Sequence, residues 1–180
     1  MAKFEYRYGD FSAHSKGLVK VIAYALPPSS ALKLAGVHPD LVAVVKKATE
    51  ITGLAFIVTE GLRTMARQQQ LVRAGASRTL NSRHITGHAV DLCTVIDFDG
   101  DGDIEPRYDW PLYFKLAQTM RLASRNRGIA LEWGGCWSRI DNTDRDVHDL
   151  QDEYVKRCRE QSKRPFLDGP HFQLAVEVYP

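Results

Sequence analysis

The ten-residue stretch Ser82-Arg83-His84-Ile85-Thr86-Gly87-His88-Ala89-Val90-Asp91 holds two imidazoles and a carboxylate, with a glycine between the histidines. Leu92-Cys93-Thr94-Val95-Ile96 follows directly, and its β-branched, apolar character reads as a strand from Ala89 to Ile96. Successive residues of a strand face opposite ways. Ala89, Asp91 and Cys93 therefore share one face, and Val90, Leu92 and Thr94 the other. His84 and His88 stand four apart, a spacing that would put both on one face of a helix. Gly87 and the strand argue against a helix here, which favours His84 with Asp91 and leaves His88 a neighbour. Neutral imidazole nitrogen and carboxylate oxygen together suit Zn2+. A third ligand would complete an open site, and Asp168-Gly169-Pro170-His171-Phe172 offers one.

A chain of 180 residues fits a single domain and is long enough to bury a core. Its 24 Lys+Arg nearly balance 22 Asp+Glu, which argues against a dedicated nucleic-acid partner. Cys93, Cys136 and Cys158 are odd in number and lack CxxC spacing, against both a disulfide framework and a cysteine-rich zinc site. The N-terminus lacks a basic region followed by an apolar core, and Lys20 interrupts the apolar run from Gly17 to Leu26. No run approaches the ~20 apolar residues of a membrane-spanning helix. The expectation is synthesis in the cytoplasm with no signal peptide and no membrane insertion.

Periodicity places the elements. An apolar stripe from Leu18 to Leu26 predicts a helix stopped by Pro27-Pro28, and Ser29-Ser30 can cap a short helix ending at Gly36. Pro39 starts a helix that carries Leu41, Val42, Val44, Val45, Ala48 and Ile51 inward and ends at Gly53. Leu54–Thr59 reads as a strand, and Thr64 caps a helix running to about Ala74. Asp109 and Pro111 open a long helix with Leu112, Tyr113, Leu116, Ala117, Met120 and Ala123 inward, ended by Gly128. Ile129–Trp133 is a short strand, Asp144 to about Ser162 a charged helix, and Phe172–Val178 a closing strand. The fold class expected is α+β, with helices packed on a small, mostly antiparallel sheet that carries the zinc site. Residues 1–28 read as an N-terminal extension packed on this single domain, and 138–167 as an inserted charged helix.

Asp168 stands three residues before His171. There a carboxylate can lie near a metal without binding it, take a proton from a zinc-activated water and return it to the leaving amine. Alone, Asp168-Gly169-Pro170 is ordinary turn chemistry. The histidines upstream lift it above that.

Ser82-x-His84-x-x-Gly87-x-Ala89-x-Asp91 with Asp168-x-x-His171 resembles the D-Ala-D-Ala carboxypeptidase-like zinc peptidases, the fold group that includes lysostaphin and the hedgehog domain. Gly36-Val37-His38-Pro39-Asp40-Leu41, Thr59-Glu60-Gly61-Leu62-Arg63-Thr64 with Gln68, Gly75-Ala76-Ser77, Glu132-Trp133-Gly134-Gly135-x-Trp137 and Pro170-His171-Phe172-Gln173-Leu174 look like its phage-lysin branch, the L-alanyl-D-glutamate endopeptidases. The resemblance implies His84, Asp91 and His171 as zinc ligands, Asp168 as general base, and Arg63 as a contact to substrate and developing oxyanion. It also implies Ser82 and Gln68 near the site. Trp133 and Trp137 would wall the groove or simply pack in the core.

The resemblance further implies a peptidoglycan peptidase, a phage or prophage endolysin acting as a monomer on the wall once a holin has opened the membrane. Cleavage between L-Ala and D-Glu is expected. The rivals are a D-Ala-D-Ala carboxypeptidase or dipeptidase, and a non-catalytic zinc-containing binding module. Two departures stand out: Cys136 where the family often has an acidic residue, and the length of the segment 138–167. Finally, Asp97-x-Asp99-Gly100-Asp101-Gly102-Asp103 resembles the first half of an EF-hand loop. Its twelfth position is Tyr108 instead of glutamate, so weak Ca2+ binding stands against a plain acidic turn.

Overall fold

The strand expected after the opening motif is the spine of the sheet. The structure is a computed structural model of the chain and describes residues 25–51, 53–97 and 104–180. Strand β2, Ala89–Ile96, pairs antiparallel with β1, Phe56–Glu60, on one edge and with β6, His171–Leu174, on the other. Beyond the end of β6, β3 (Glu105–Arg107) takes that second edge, with Arg107 opposite Thr94. β4 (Leu131–Trp133) pairs with β6, and β5 (Ser138–Arg139) with β4, giving the order β1-β2-β6-β4-β5. Every pairing is antiparallel.

The alternation read from β2 holds across the sheet. Val90 stands opposite Phe172, Leu92 opposite Val58, and Leu131 opposite Leu174, so these residues form one apolar face. Helices α2 (Pro39–Ile51) and α4 (Trp110–Arg127) pack with this face through Leu41, Val44, Val45 and Ala48, and through Leu116, Ala117, Met120 and Ala123, all fully buried. Each buried Leu or Val stabilises by about 1.5–3 kcal/mol, so this layer holds the fold and leaves the opposite face free to carry polar groups. No helix among the described residues is long and apolar enough to cross a membrane.

The shorter helices are α1 (Pro28–Lys33), α3 (Met65–Arg73) and α5 (Val147–Glu160). Thr64 caps α3 by accepting from the Arg67 N–H, as expected. α1 differs from expectation. It starts at Pro28, and Ser30 lies inside it with its hydroxyl accepting from Val58 N at 3.0 Å, a tie from helix to β1 that replaces the capping role. Asp109 occupies the N-cap of α4, yet its carboxylate pairs with Arg107 at 2.9 Å and leaves the first turn uncapped by a side chain. The closing strand is also shorter than expected and ends at Leu174. The Arg83 guanidinium binds the Leu174 and Tyr179 carbonyls, which folds the chain end into a turn. The segment 138–167 supplies β5 and the charged helix α5, whose N-cap Asp146 accepts from His148 N. The helix expected from Leu18 to Leu26 lies outside the described residues except for its last two.

Candidate active site

The polar face of the sheet is organised by register. Asp91 on β2 stands directly opposite His171 on β6 and Glu60 on β1, and directly opposed residues share a face. Glu60 reaches that position through an irregularity. Val58 pairs with Leu92 but Glu60 with Asp91, so Thr59 is an extra residue that re-aims the glutamate. The Thr59 hydroxyl donates to the Asp91 carbonyl at 3.0 Å and fixes the bulge. His84 arrives from the turn before β2. Its backbone carbonyl accepts from Arg63 N at 3.0 Å and from Gly87 N at 3.2 Å. Gly87 has φ +73°, and a Cβ there would lie 2.3 Å from the Gly36 carbonyl oxygen, so the turn needs glycine on both counts.

His84 Nε2, Asp91 Oδ1 and His171 Nδ1 converge. The separations are 3.1 Å from Asp91 to each imidazole and 3.2 Å between the two nitrogens. Among the described residues these three form the group that could hold a metal ion. The outer nitrogens decide what the inner ones carry. His84 Nδ1 lies 2.8 Å from the Gly61 carbonyl, and His171 Nε2 lies 3.0 Å from Gln173 Oε1. Both partners are acceptors, so each outer nitrogen bears the proton and each inner nitrogen presents a lone pair. Three donor atoms then face one another, an arrangement that suits a metal cation and that, without one, is held together by protons shared with Asp91. The spacing suits a metal, because tetrahedral bonds of about 2.0–2.1 Å place ligand atoms about 3.3 Å apart. The donor set, two nitrogens and one carboxylate oxygen, matches an open catalytic metal site.

Asp168 sits beside this triangle, on a turn clamped from several directions. Its N–H donates to the Gly134 carbonyl at 3.0 Å, and the buried Trp133 indole donates to the Gly169 carbonyl at 2.8 Å. Burial pushes the Asp168 carboxyl above its ordinary pKa, and the neighbouring Asp91 charge adds to this while His171, His84 and Arg63 oppose it. The Tyr113 ring packs on the other side of the turn, where a Cβ on Gly169 would fall 2.5 Å from it. Gly134 is just as confined, since a Cβ there would lie 2.4 Å from the Asp168 carbonyl oxygen and 2.9 Å from His171 Cβ. Gly134→Ala is therefore expected to push Asp168 and His171 out of place and to lower activity at least about tenfold, since a shift of an ångström is worth up to about 10²-fold. Initial rates of the purified variant check this, and a folded variant with undiminished rate would show that the turn absorbs the methyl group.

The profile of the family described as "Phage L-alanyl-D-glutamate peptidase" matches residues 22–175. The chain belongs to that family. It is 28% identical over 156 residues to the L-alanyl-D-glutamate peptidase of Escherichia phage T5, covering 85% of this chain and 99% of that one. It is 26% identical over 111 residues to the peptidoglycan L-alanyl-D-glutamate endopeptidase CwlK of Bacillus subtilis (strain 168), covering 53% of this chain and 61% of CwlK. The crystal structure of the Serratia marcescens L-Ala D-Glu endopeptidase ChiX superposes with a TM-score of 0.64 at 38% identity, covering 91% of this chain and 99% of ChiX.

Within this phage-peptidase fold, the residues singled out in the sequence fall into three groups. His84, Asp91, His171 and Asp168 come together, and Trp137 lies beside them with its ring 5.3 Å from His171 and stacked on Phe166 at 5.9 Å. Arg63 and Gln68 form a supporting layer. Arg63 is buried and binds Glu60 through Nε and Nη2 at 2.8 and 2.6 Å, Gln68 through Nη1 at 2.8 Å, and Asp91 Oδ2 through Nη2 at 3.3 Å. Gln68 in turn donates to Ser77 Oγ and the Thr79 carbonyl, which holds the loop leading to His84. Trp133 is fully buried in the core, and Ser82 accepts from His84 N at 3.4 Å. His88 faces away, with its ring 5.1 Å from that of His38. Of the acidic loop, Asp97 alone is described. Asp99, Asp101 and Asp103 lie outside the described residues, and the described structure offers no support for calcium there. The sequence reading quoted Glu60 and Gln173 within the motifs of the resemblance but gave neither a role. Their signal is their register opposite Asp91, and beside His171 opposite Glu132.

Proposed function

We propose that this chain is a zinc-dependent endopeptidase that hydrolyses the bond between L-Ala and D-Glu in the peptide stem of bacterial peptidoglycan. The observation that carries this reading is the convergence of His84 Nε2, Asp91 Oδ1 and His171 Nδ1 beside the raised-pKa carboxyl of Asp168. The phage, Bacillus and Serratia relatives, each named for cleavage at L-Ala and D-Glu, support the choice of bond. Zinc bound there supplies a Lewis acid that brings the pKa of water toward ~7 and polarises the scissile carbonyl. Asp168 accepts the proton of the attacking water and passes it to the leaving amine of D-Glu. Its raised pKa makes it a stronger base than an exposed carboxylate, matched to work nearer neutral pH. Arg63 acts on this reading mainly through Asp91, which it holds in place and whose charge it balances. Its one N–H outside these bonds, on Nη1, is what remains for a substrate oxygen. Trp137 and Phe166 form the wall along which the stem lies.

The test is a digest of purified peptidoglycan followed by mass spectrometry of the fragments. New L-Ala carboxyl ends and D-Glu amino ends are expected. Release of terminal D-Ala instead would move the chain to the carboxypeptidase reading, and intact fragments to that of a binding module. We propose further that the chain works as a monomer of 20.3 kDa, made in the host cytoplasm and admitted to the wall by a holin-type partner. Light scattering on the purified protein and expression with and without a holin test both points. A dimer, or lysis by the chain alone, would remove the corresponding part.

A further inference from the structure

The two imidazoles of the candidate metal site are held in different ways. His84 turns Nε2 inward, and its Nδ1 is fixed by a backbone carbonyl, that of Gly61, which no substitution at position 61 removes. His171 turns Nδ1 inward, and its Nε2 is fixed by a side chain, Gln173 Oε1 at 3.0 Å. An amide can present either oxygen or nitrogen, so Gln173 needs its own orienting partner. That partner is Glu132, whose Oε2 accepts from Gln173 Nε2 at 2.6 Å. A carboxylate only accepts, so it forces the amide nitrogen toward itself and the amide oxygen toward His171. The sheet builds this line directly. His171 and Gln173 are two apart on β6 and share a face, and Glu132 on β4 stands directly opposite Gln173. Arg83, next to His84, binds the Leu174 and Tyr179 carbonyls and brings its positive charge near Glu132.

We propose that Gln173, oriented by Glu132, is the positioning residue that sets which nitrogen His171 offers to the metal. Neither residue touches the reacting atoms. Without the Gln173 oxygen, His171 loses the acceptor that its Nε2 proton has in this structure, and the Nδ1-protonated form, which cannot bind metal through Nδ1, becomes populated. Outer partners of ligating histidines typically change metal affinity by about 10–100-fold.

This rests on the metal site described above, and its test uses zinc affinity and histidine NMR on purified protein without any cell wall. Gln173→Met keeps the side chain's length and removes the acceptor. Its zinc affinity, measured by competition with a chromophoric chelator, is expected to fall about 10–100-fold. In the zinc form of the unsubstituted protein, nitrogen-15 spectra should show His171 bonded through Nδ1 and protonated at Nε2. The paired change Gln173→Glu with Glu132→Gln reverses acceptor and donor along the line and still offers His171 an oxygen, so it should return affinity to within about threefold. A folded Gln173→Met with unchanged affinity, or a His171 protonated at Nδ1 in the zinc form, overturns the proposal. If Gln173→Met does not fold, Glu132→Met decides at its partly exposed site: weaker zinc binding supports the line, and unchanged binding overturns it. Zinc bound as described with no stem peptide cut would instead count against the proposed function and leave this inference standing.

Discussion

Asp168→Asn should lower kcat/KM on purified cell walls by about 10²–10⁴-fold, the usual range for a positioned general base, while zinc content stays at one ion per chain. Asparagine matches aspartate in size, so the turn held by Gly134, Trp133 and Tyr113 should survive the change. What disappears is the buried carboxylate proposed to take the proton beside the metal triangle. The stability of the metal-free protein supplies a second, opposite signature. Burial raises the folded pKa of Asp168, so its contribution is most favourable at low pH and is lost as pH rises through that value. At neutral pH the folded state therefore holds this carboxylate at a cost, and the neutral asparagine should leave stability equal or higher. Lower activity with unchanged or higher stability marks a residue kept for chemistry. A variant that cuts cell walls at the original rate would remove Asp168 as the base. One that loses zinc would instead assign it to metal binding.

The candidate ligand set could be read from the sequence because its spacing carries chemistry. Two short motifs, one ending a turn and one opening a strand, named His84, Asp91, His171 and Asp168 without any knowledge of the fold. Gly87 was enough to set His88 aside, and its positive φ in the structure agrees. The central strand and the apolar faces of α2 and α4 were legible for a different reason. Long periodic segments repeat their signal many times over. The supporting layer has no such redundancy. Glu60 meets Asp91 only because Thr59 bulges, and a bulge is one residue's change in pairing, with no pattern to announce it. Gln173 matters because strand register places it against Glu132, forty-one positions earlier in the chain. β3 and β5, of three and two residues, are too short to show alternation, and Pro106 in β3 reads as a loop. The bonds of Arg63 were hidden for a related reason. The resemblance implied a substrate contact, and the structure adds that its buried guanidinium is bonded to Glu60, Gln68 and Asp91.

Removing the metal with a chelator should abolish cleavage, returning zinc should restore it, and the two forms should respond to pH in opposite directions. In the metal-free protein, burial works to raise the pKa of Asp91, but hydrogen bonds from His171 and His84 outweigh it and hold the carboxyl far below its usual range. Burial works to lower the pKa of His171, but the bond to Asp91, with the charges of Asp91 and Asp168, outweighs it and raises the imidazole above its ordinary value. The signs follow from linkage. The Asp91 contribution is present above the unfolded carboxyl's pKa of ~3.9 and is lost only as pH falls through the depressed folded value, so it stays constant near neutrality. The His171 contribution is fully present below ~6.5 and is lost as pH rises through its raised folded value. Metal-free protein should therefore lose stability upward from about pH 6.5, at no more than about 1.4 kcal/mol per pH unit for one proton. Zinc needs both imidazoles neutral, so its affinity grows across that same window, and with it the stabilisation that ligand binding adds to the folded state. Zinc-loaded protein should hold or gain stability where the metal-free protein declines. Denaturant midpoints between about pH 6 and 9, with chelator and with excess zinc, measure both slopes. Parallel slopes would mean that protons and zinc do not compete for His84, Asp91 and His171, and the three-donor site would have to be abandoned.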